Sequence, residues 1–440
     1  MNNLTPIDRS IVELKVEELG LPDLGQAKIR EIVKLVNSIE EESGEKFIRM
    51  EMGVPGLEPA GVGTEAEIEA LKRGVASKYA NIEGIPELKR EISRFVKLFL
   101  DLDVSPQSCI PTVGSIQGSI ASFLVANRND HRREGTLFLD PGFPVHKQQC
   151  IVLGHDYRTF DVYNYRGNKL GPKMREYLDT GLVSTILYSN PNNPSWICFT
   201  EEELKTIGDL AGEYDVVVIE DLAYFGMDFR KDVSEPGKPP FQSTVAKYTD
   251  NYLLLISCSK TFSYAGQRIG MMVMSDKQYN RRYPDLLRYY TSDKFGHSMI
   301  YGALYALSAG ASHSAQFAVA AILKAANDGK FNLVDEVREY GERAGIMKKL
   351  FVKNGFQIVY DKDIDQELAD GFYFTISYPG FNGAGLLKEL LYYGISAISL
   401  EITGSERKEG LRACVSQVYL DQMSLLEKRL QWFHKDHTRT

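Results

Sequence analysis

The sequence predicts an α/β protein: a large domain built on a mostly parallel, helix-covered sheet, joined to a smaller α+β domain. Three observations carry that reading. Between about residues 85 and 275, helical stretches alternate with short β-rich runs, the pattern of a parallel sheet wrapped by helices. Those runs are almost wholly apolar, as strands buried on both faces require. After Tyr301 the pattern changes to long helical segments and then short strands, and 440 residues exceed what one core normally holds, so a second core is expected.

Residues 1–48 read as a helical, polar arm that belongs in part with the small domain. The first residues, 1–6, lack the basic segment and apolar stretch of a secretory signal. Residues 49–300 are assigned to the large domain, with strands expected at 137–139, 185–188, 216–219 and 253–256. Between the second and third, Thr200-Glu201-Glu202-Glu203 reads as a capping box opening a helix through Leu204, Ile207 and Leu210. Residues 301–440 are assigned to the small domain. It is expected to start with a long linking helix through 303–326 and a second at 334–350, followed by strands around 372–374 and 397–399.

Composition excludes several classes of function. No run approaches the ~20 uninterrupted apolar residues of a membrane helix, so no membrane partner is expected. A net charge of −8 gives no electrostatic reason to bind nucleic acid. The five cysteines are odd in number, scattered and without CxxC spacing, which argues against a disulfide framework and a zinc site and fits a cytoplasmic protein.

In an open parallel sheet, ligands bind beyond the carboxyl ends of the strands, so the polar residues that follow each strand are the ones to compare. After Tyr188 comes Ser189-Asn190-Pro191-Asn192-Asn193-Pro194. After Ile219 comes Glu220-Asp221-Leu222-Ala223-Tyr224, and after Ile256 comes Ser257-Cys258-Ser259-Lys260. Lys260, delivered off the end of a buried strand, is a candidate Schiff-base amine. The set suits pyridoxal 5′-phosphate. A buried Asp221 would keep the cofactor's ring nitrogen protonated, Asn193 and Tyr224 would hydrogen-bond its phenolic oxygen, and Lys260 would bind its aldehyde and then shuttle a proton.

The runs Asn190-Pro191-Asn192-Asn193-Pro194, Asp221-Leu222-Ala223-Tyr224 and Ser257 through Arg268-Ile269-Gly270 resemble, in order and spacing, the fold type I pyridoxal phosphate enzymes, in particular the class I/II aminotransferases. The resemblance covers nearly the whole chain. It implies that Ser257 and Arg268 bind the cofactor phosphate together with the turn Gly114-Ser115-Ile116, where a helix start also offers free backbone N–H groups to an anion. It implies that Phe143, in Asp140-Pro141-Gly142-Phe143-Pro144, stacks on the pyridine ring. Tyr79 resembles the tyrosine that reaches the phosphate of a neighbouring subunit, so a homodimer with shared sites is implied. Arg412, in Gly410-Leu411-Arg412-Ala413-Cys414, resembles the arginine that grips the substrate α-carboxylate, and on so apolar a strand a guanidinium is costly to bury without an anion. Gly53 resembles a glycine at the substrate mouth.

The expected activity is amino-group transfer from an L-α-amino acid to a 2-oxo acid by a ping-pong cycle through Lys260. The alternatives are β-elimination or decarboxylation on the same cofactor and, more remotely, a non-catalytic regulator. Two departures from the family pattern bear on the pocket wall: Trp196 stands where a glycine is expected, and position 267 is Gln267. Arg288 or Lys294 of the partner subunit are candidates for a second substrate cation, and Trp196 and Tyr264 for the border of an aromatic pocket. His146 and His297 are left as hydrogen-bonding residues without an assigned role.

Overall fold

The computed structural model describes residues 5–20, 23–133 and 135–438, so the segment read for a signal lies outside the described residues up to residue 4. The chain divides into two compact units. The larger comprises Leu57–Asn192 and Cys198–Val337, and the smaller Met1–Gly56, Asn193–Ile197 and Arg338–Thr440.

The larger unit is organised by a seven-stranded sheet. Its strands are β1 (Cys109–Thr112), β2 (Gly135–Asp140), β3 (Tyr157–Asp161), β4 (Val183–Ser189), β5 (Val217–Leu222), β6 (Tyr252–Ser257) and β7 (Gly270–Met274), in the order β1-β7-β6-β5-β4-β2-β3. From β6 to β3 every adjacent pair is parallel, while β7 runs antiparallel to both β6 and β1. The four expected strands lie in β2, β4, β5 and β6, with Val216 one residue before β5. All four are buried along their whole length, which is why their apolar runs could be read.

The strands that escaped notice have physical reasons for their disguise. β1 contains Pro111, which donates no ladder hydrogen bond and is tolerated because β1 is an edge strand. β3 is the opposite edge, and its exposed Arg158 and Thr159 break the apolar run.

Helices α1 (Gly61–Lys72), α2 (Pro86–Leu100), α3 (Gly114–Ala126), α4 (Pro144–Leu153), α5 (Glu201–Glu213) and α6 (His313–Asn327) are among those of this unit. The expected capping box opens α5: Thr200 Oγ1 accepts from Glu203 N at 3.2 Å, and Thr200 N donates to Glu203 Oε2 at 3.0 Å. Such a cap contributes on the order of 1 kcal/mol.

The boundary expected after residue 300 falls instead at Val337, and the long linking helix is not continuous. A π-helical segment, Ser298–Leu304, runs into a short turn at Tyr305–Ser308. The backbone then turns left-handed at Ala309 (φ 55) and Gly310 (φ 114) before α6 begins. α6 belongs to the larger unit because its side chains close gaps there. Ile322 lies so near Gly63 of α1 that a Cβ would meet Ile322 Cδ1 at 2.5 Å. Gln316 Oε1 accepts from Ile85 N at 2.8 Å, and Asn327 Nδ2 donates to Glu91 O at 3.0 Å.

The smaller unit holds an antiparallel sheet of β8 (Gln357–Ile358), β9 (Tyr373–Ser377), β10 (Ile398–Ser399) and β11 (Leu411–Cys414), in the order β10-β11-β9-β8. Helices α7 (Arg338–Lys353), α8 (Gly383–Tyr392) and α9 (Met423–His437) pack with it. The N-terminal helix Arg9–Leu19 is tied to α8 by Arg9–Glu389 at 2.5 Å and Glu13–Lys388 at 2.7 Å. Ile48–Arg49 pairs in parallel with Ile395–Ser396. Among the described residues no helix is long and apolar enough to cross a membrane.

Candidate active site

Parallel register aligns the carboxyl ends of the central strands in the larger unit: Ser189 faces Asp221, and Asp221 faces Leu255, two residues before Ser257. Asp221 thus sits deep at the sheet edge, and its Oδ1 is buried without a hydrogen-bond partner. Burial pushes its pKa up to about 7, although the backbone N–H of Ala223 favours the charged form. The neighbour across from it is His146 of α4, whose Nε2 lies 3.8 Å from Asp221 Oδ2. Burial, with Lys147 beside it, pushes His146 down to about 4, so this imidazole is neutral near pH 7. The carboxylate is therefore a buried acceptor with no lysine or arginine paired to it among the described residues.

Lys260 stands one strand away. Ser257 ends β6, and its Oγ accepts from Ser259 N at 3.2 Å, capping the single helical turn Cys258–Thr261 that carries the half-buried Lys260. Thr261 Oγ1 donates to Phe225 O at 3.0 Å, which ties this turn to the residue following the buried Tyr224.

Arg268 and the start of α3 also meet. Gly114 opens α3 at φ +67, and a Cβ there would lie 2.7 Å from Arg268 Nη2. A Cβ on Gly270, the first residue of β7, would lie 3.0 Å from Ser115 N. The free N–H groups at the start of α3, around Ser115 and Ile116, therefore share a corner with a guanidinium, a combination suited to an anion. Arg268 Nη1 donates to Ala265 O at 2.9 Å and the side chain is exposed. Phe143 precedes α4 with its ring edge-on to His146, 5.7 Å between centroids.

In the smaller unit, Arg412, Asn193 and Gly53 form a second group. Arg412 lies within β11 and is only 2% exposed. Its Nη2 donates to Glu51 O at 2.6 Å and its Nη1 to Asn193 Oδ1 at 3.4 Å, while its Nε is buried without a partner. The guanidinium lies 4.7 Å from the centre of the Tyr373 ring. The Tyr373 hydroxyl abuts Gly53 so closely that any Cβ there would overlap it. A buried cation whose acceptors are neutral retains a strong demand for an anion.

Trp196 explains its own irregularity. Its backbone is left-handed at φ 65, the conformation for which glycine is favoured, at a cost of roughly 1–2 kcal/mol for another residue. The indole is almost wholly buried, packed on Gly371 and edge-on to Tyr373 at 6.2 Å. Tyr264, expected at the border of an aromatic pocket, is buried too, and its hydroxyl donates to Glu67. Tyr79 is 98% exposed. Arg288 and Gln267 are exposed, and Lys294 is half-buried.

His146 is the residue that sequence reasoning left without a role and that the structure brings to Asp221. A signal existed: with Pro144 starting α4, positions 143 and 146 are three apart at the helix start and share a face. Lys147 was overlooked as well; it is paired with Asp140 at the end of β2, which also accepts from Thr159.

A family model described as aminotransferase class I and II matches residues 45–365. The glutamate-pyruvate aminotransferase AlaC of Escherichia coli is 30% identical over 234 residues, covering 52% of this chain and 54% of that protein. A probable aspartate aminotransferase of Methanocaldococcus jannaschii is 26% identical, covering 57% and 60%. The LL-diaminopimelate aminotransferase of Aquifex aeolicus is 30% identical, covering 53% and 58%. The chain spans little more than half the length of these curated relatives. Among solved structures, an alanine aminotransferase from Pyrococcus furiosus superposes with a TM-score of 0.76 at 20% identity, covering 93% of this chain and 97% of that one. An aspartate aminotransferase of Thermus thermophilus with maleate gives 0.73 at 16%, covering 96% and 98%. Likeness at such identity speaks to the fold.

Proposed function

The chain belongs to the aminotransferase class I and II family, which depends on pyridoxal 5′-phosphate, and from that premise we propose that it transfers the amino group of an L-α-amino acid to a 2-oxo acid. The observation that carries the reading is Asp221, a buried carboxylate with an unpartnered oxygen, one strand from a strand-end lysine. The residues fit the cofactor: the carboxylate awaits a cationic partner, and the corner of Gly114, Ser115 and Arg268 awaits an anion.

When bound, the cofactor supplies an electron sink for the bonds at the amino acid's α-carbon. Asp221 is the charge partner that keeps the proton on its ring nitrogen, and neutral His146 borders that carboxylate without competing for its charge. Tyr224 and Asn193 would hydrogen-bond the ring oxygen, and Phe143 would pack against the ring. Ser257, Arg268 and the backbone of Gly114, Ser115 and Ile116 would take the phosphate. Lys260 anchors the cofactor and moves the proton at the substrate's α-carbon. Arg412 takes the α-carboxylate with its free Nε edge, and Gly53 leaves room beside Tyr373.

The reading is tested by incubating the cofactor-loaded protein with 15N-labelled amino acids and an unlabelled 2-oxo acid. The screen takes aspartate, glutamate, alanine, phenylalanine and tyrosine as donors. The label is expected on the acceptor, with the donor's 2-oxo acid formed in equal amount. Release of ammonia or carbon dioxide in place of transfer would overturn it in favour of elimination or decarboxylation.

The enzyme works as a cytoplasmic homodimer in which Tyr79 completes the partner's phosphate site. The near-complete exposure of Tyr79, with Tyr301 and Tyr305 also exposed, supports this, as does the absence of a disulfide among the described cysteines. A mixture of Tyr79→Ala and Lys260→Ala proteins, dissociated and reassociated, is expected to recover activity that neither has alone, because each supplies what the other lacks. Additive behaviour of the mixture would remove the shared site.

A further inference from the structure

Glu67, on α1, is a buried carboxylate outside the residues assigned above. It is 7% exposed, and its oxygens accept from two hydroxyls, Tyr264 at 2.6 Å and Ser314, at the start of α6, at 2.9 Å. No lysine, arginine or histidine forms an ion pair with it among the described residues. A buried charge held only by neutral donors is costly, so what it holds is informative. Tyr264 lies four residues beyond Lys260 and four before Arg268.

The segment between those two residues needs holding. Ser263 (φ 50) and Arg268 (φ 51) are both left-handed without being glycine, a conformation that costs roughly 1–2 kcal/mol each and persists only where the surroundings dictate it. Contacts from the rest of the larger unit reach this segment at several points. Thr261 Oγ1 donates to Phe225 O at 3.0 Å, Ala60 N donates to Phe262 O at 3.4 Å, and the Phe262 ring lies 6.4 Å from that of Phe95. Tyr264, midway between Lys260 and Arg268, is held by Glu67, a charge-assisted contact, and also meets Thr64. Tyr264 N also donates to Cys258 O at 3.0 Å, closing the lysine's turn directly onto the clamped residue.

We propose that Glu67 is a positioning residue that, through Tyr264, fixes the 258–268 segment so that Lys260 and Arg268 stand at the spacing the cofactor requires. The proposal rests on the reading of those two residues as the cofactor's anchor and phosphate ligand. Burial and Glu67 both hold the Tyr264 phenol protonated, so the clamp persists across neutral and moderately alkaline pH.

The test uses the full chain and pyridoxal 5′-phosphate as the probe. Tyr264→Phe and Glu67→Gln are each expected to raise the cofactor Kd about tenfold, the effect of losing one hydrogen bond to a charged group. Combining them should add little, because both act on the same contact. Hydrogen exchange should quicken in a peptide covering 258–268 and stay unchanged in β2 and β4. Ser314→Ala, which removes the other donor to Glu67 and leaves the clamp in place, should change Kd by less than about threefold. A Kd for Tyr264→Phe within twofold of the unsubstituted chain would overturn the clamp, as would an equal loss in Ser314→Ala. If the unsubstituted chain binds no cofactor, or Lys260→Ala binds it equally well, the parent reading fails instead.

Discussion

Lys260→Ala is expected to lower the rate of amino transfer by at least ~10⁴-fold, the upper range for one positioned proton-transfer group. On the proposed reading the residue has two tasks, holding the cofactor and moving the proton at the α-carbon. Lys147 of α4 is paired with Asp140 at the end of β2. The turn carrying Lys260 is tied down by the Ser257 cap and by Thr261 to Phe225. Steady-state transfer assays give the rate. Borohydride reduction of the loaded, unsubstituted protein followed by peptide mapping should place the cofactor on Lys260. Turnover retained within about tenfold, or labelling of a different lysine, would remove Lys260 from the mechanism.

Asp221→Asn should act in opposite directions on the loaded and the cofactor-free protein. In the loaded protein it removes one partner of a buried charge pair, a loss of ~2–5 kcal/mol, or roughly 30-fold to several thousand-fold in cofactor affinity. In the cofactor-free protein the carboxyl is held up to about 7 by burial, from 3.8. Between those values the folded chain keeps a proton that the unfolded chain releases. Stability contributed by this group is therefore present at low pH and lost as pH rises through the window, by up to ~1.4 kcal/mol per unit. Asparagine removes that dependence. The thermal midpoint of the cofactor-free variant should shift upward relative to the unsubstituted protein between about pH 4 and pH 8. Asp140 and Glu220, whose pKa values burial also raises, are common to both proteins and cancel in the comparison. An Asp221→Asn protein that binds cofactor as tightly as the original would exclude the carboxylate from the ring nitrogen.

The sequence was most legible where burial was uniform. β2, β4, β5 and β6 announce themselves because both faces are covered, and the candidate site was read from the residues that follow β4, β5 and β6. The edge strands β1 and β3 were illegible for the same reason inverted: an edge admits Pro111 and an exposed Arg158. The domain boundary was misplaced because α6 reads like any amphipathic helix, and only its fit over Gly63 and Ile85 assigns it to the larger unit. His146 and Glu67 reach their partners across 75 and 197 residues, and no local spacing encodes such meetings. Trp196 was noticed as a departure, but its left-handed backbone became visible only in three dimensions.

The antiparallel return of β7 has a consequence for the protein's lifetime. Ser257 and Gly270 are paired across β6 and β7, so the excursion that carries Lys260 and Arg268 leaves the sheet and re-enters it at one rung. A ligand gripped by both residues and by the start of α3 closes that excursion as a brace. By mass action a ligand at 100 times its Kd stabilises the native state by ~2.7 kcal/mol. Bound cofactor is then expected to slow proteolysis within 258–269 as well as to support activity, which limited digestion with and without pyridoxal 5′-phosphate checks.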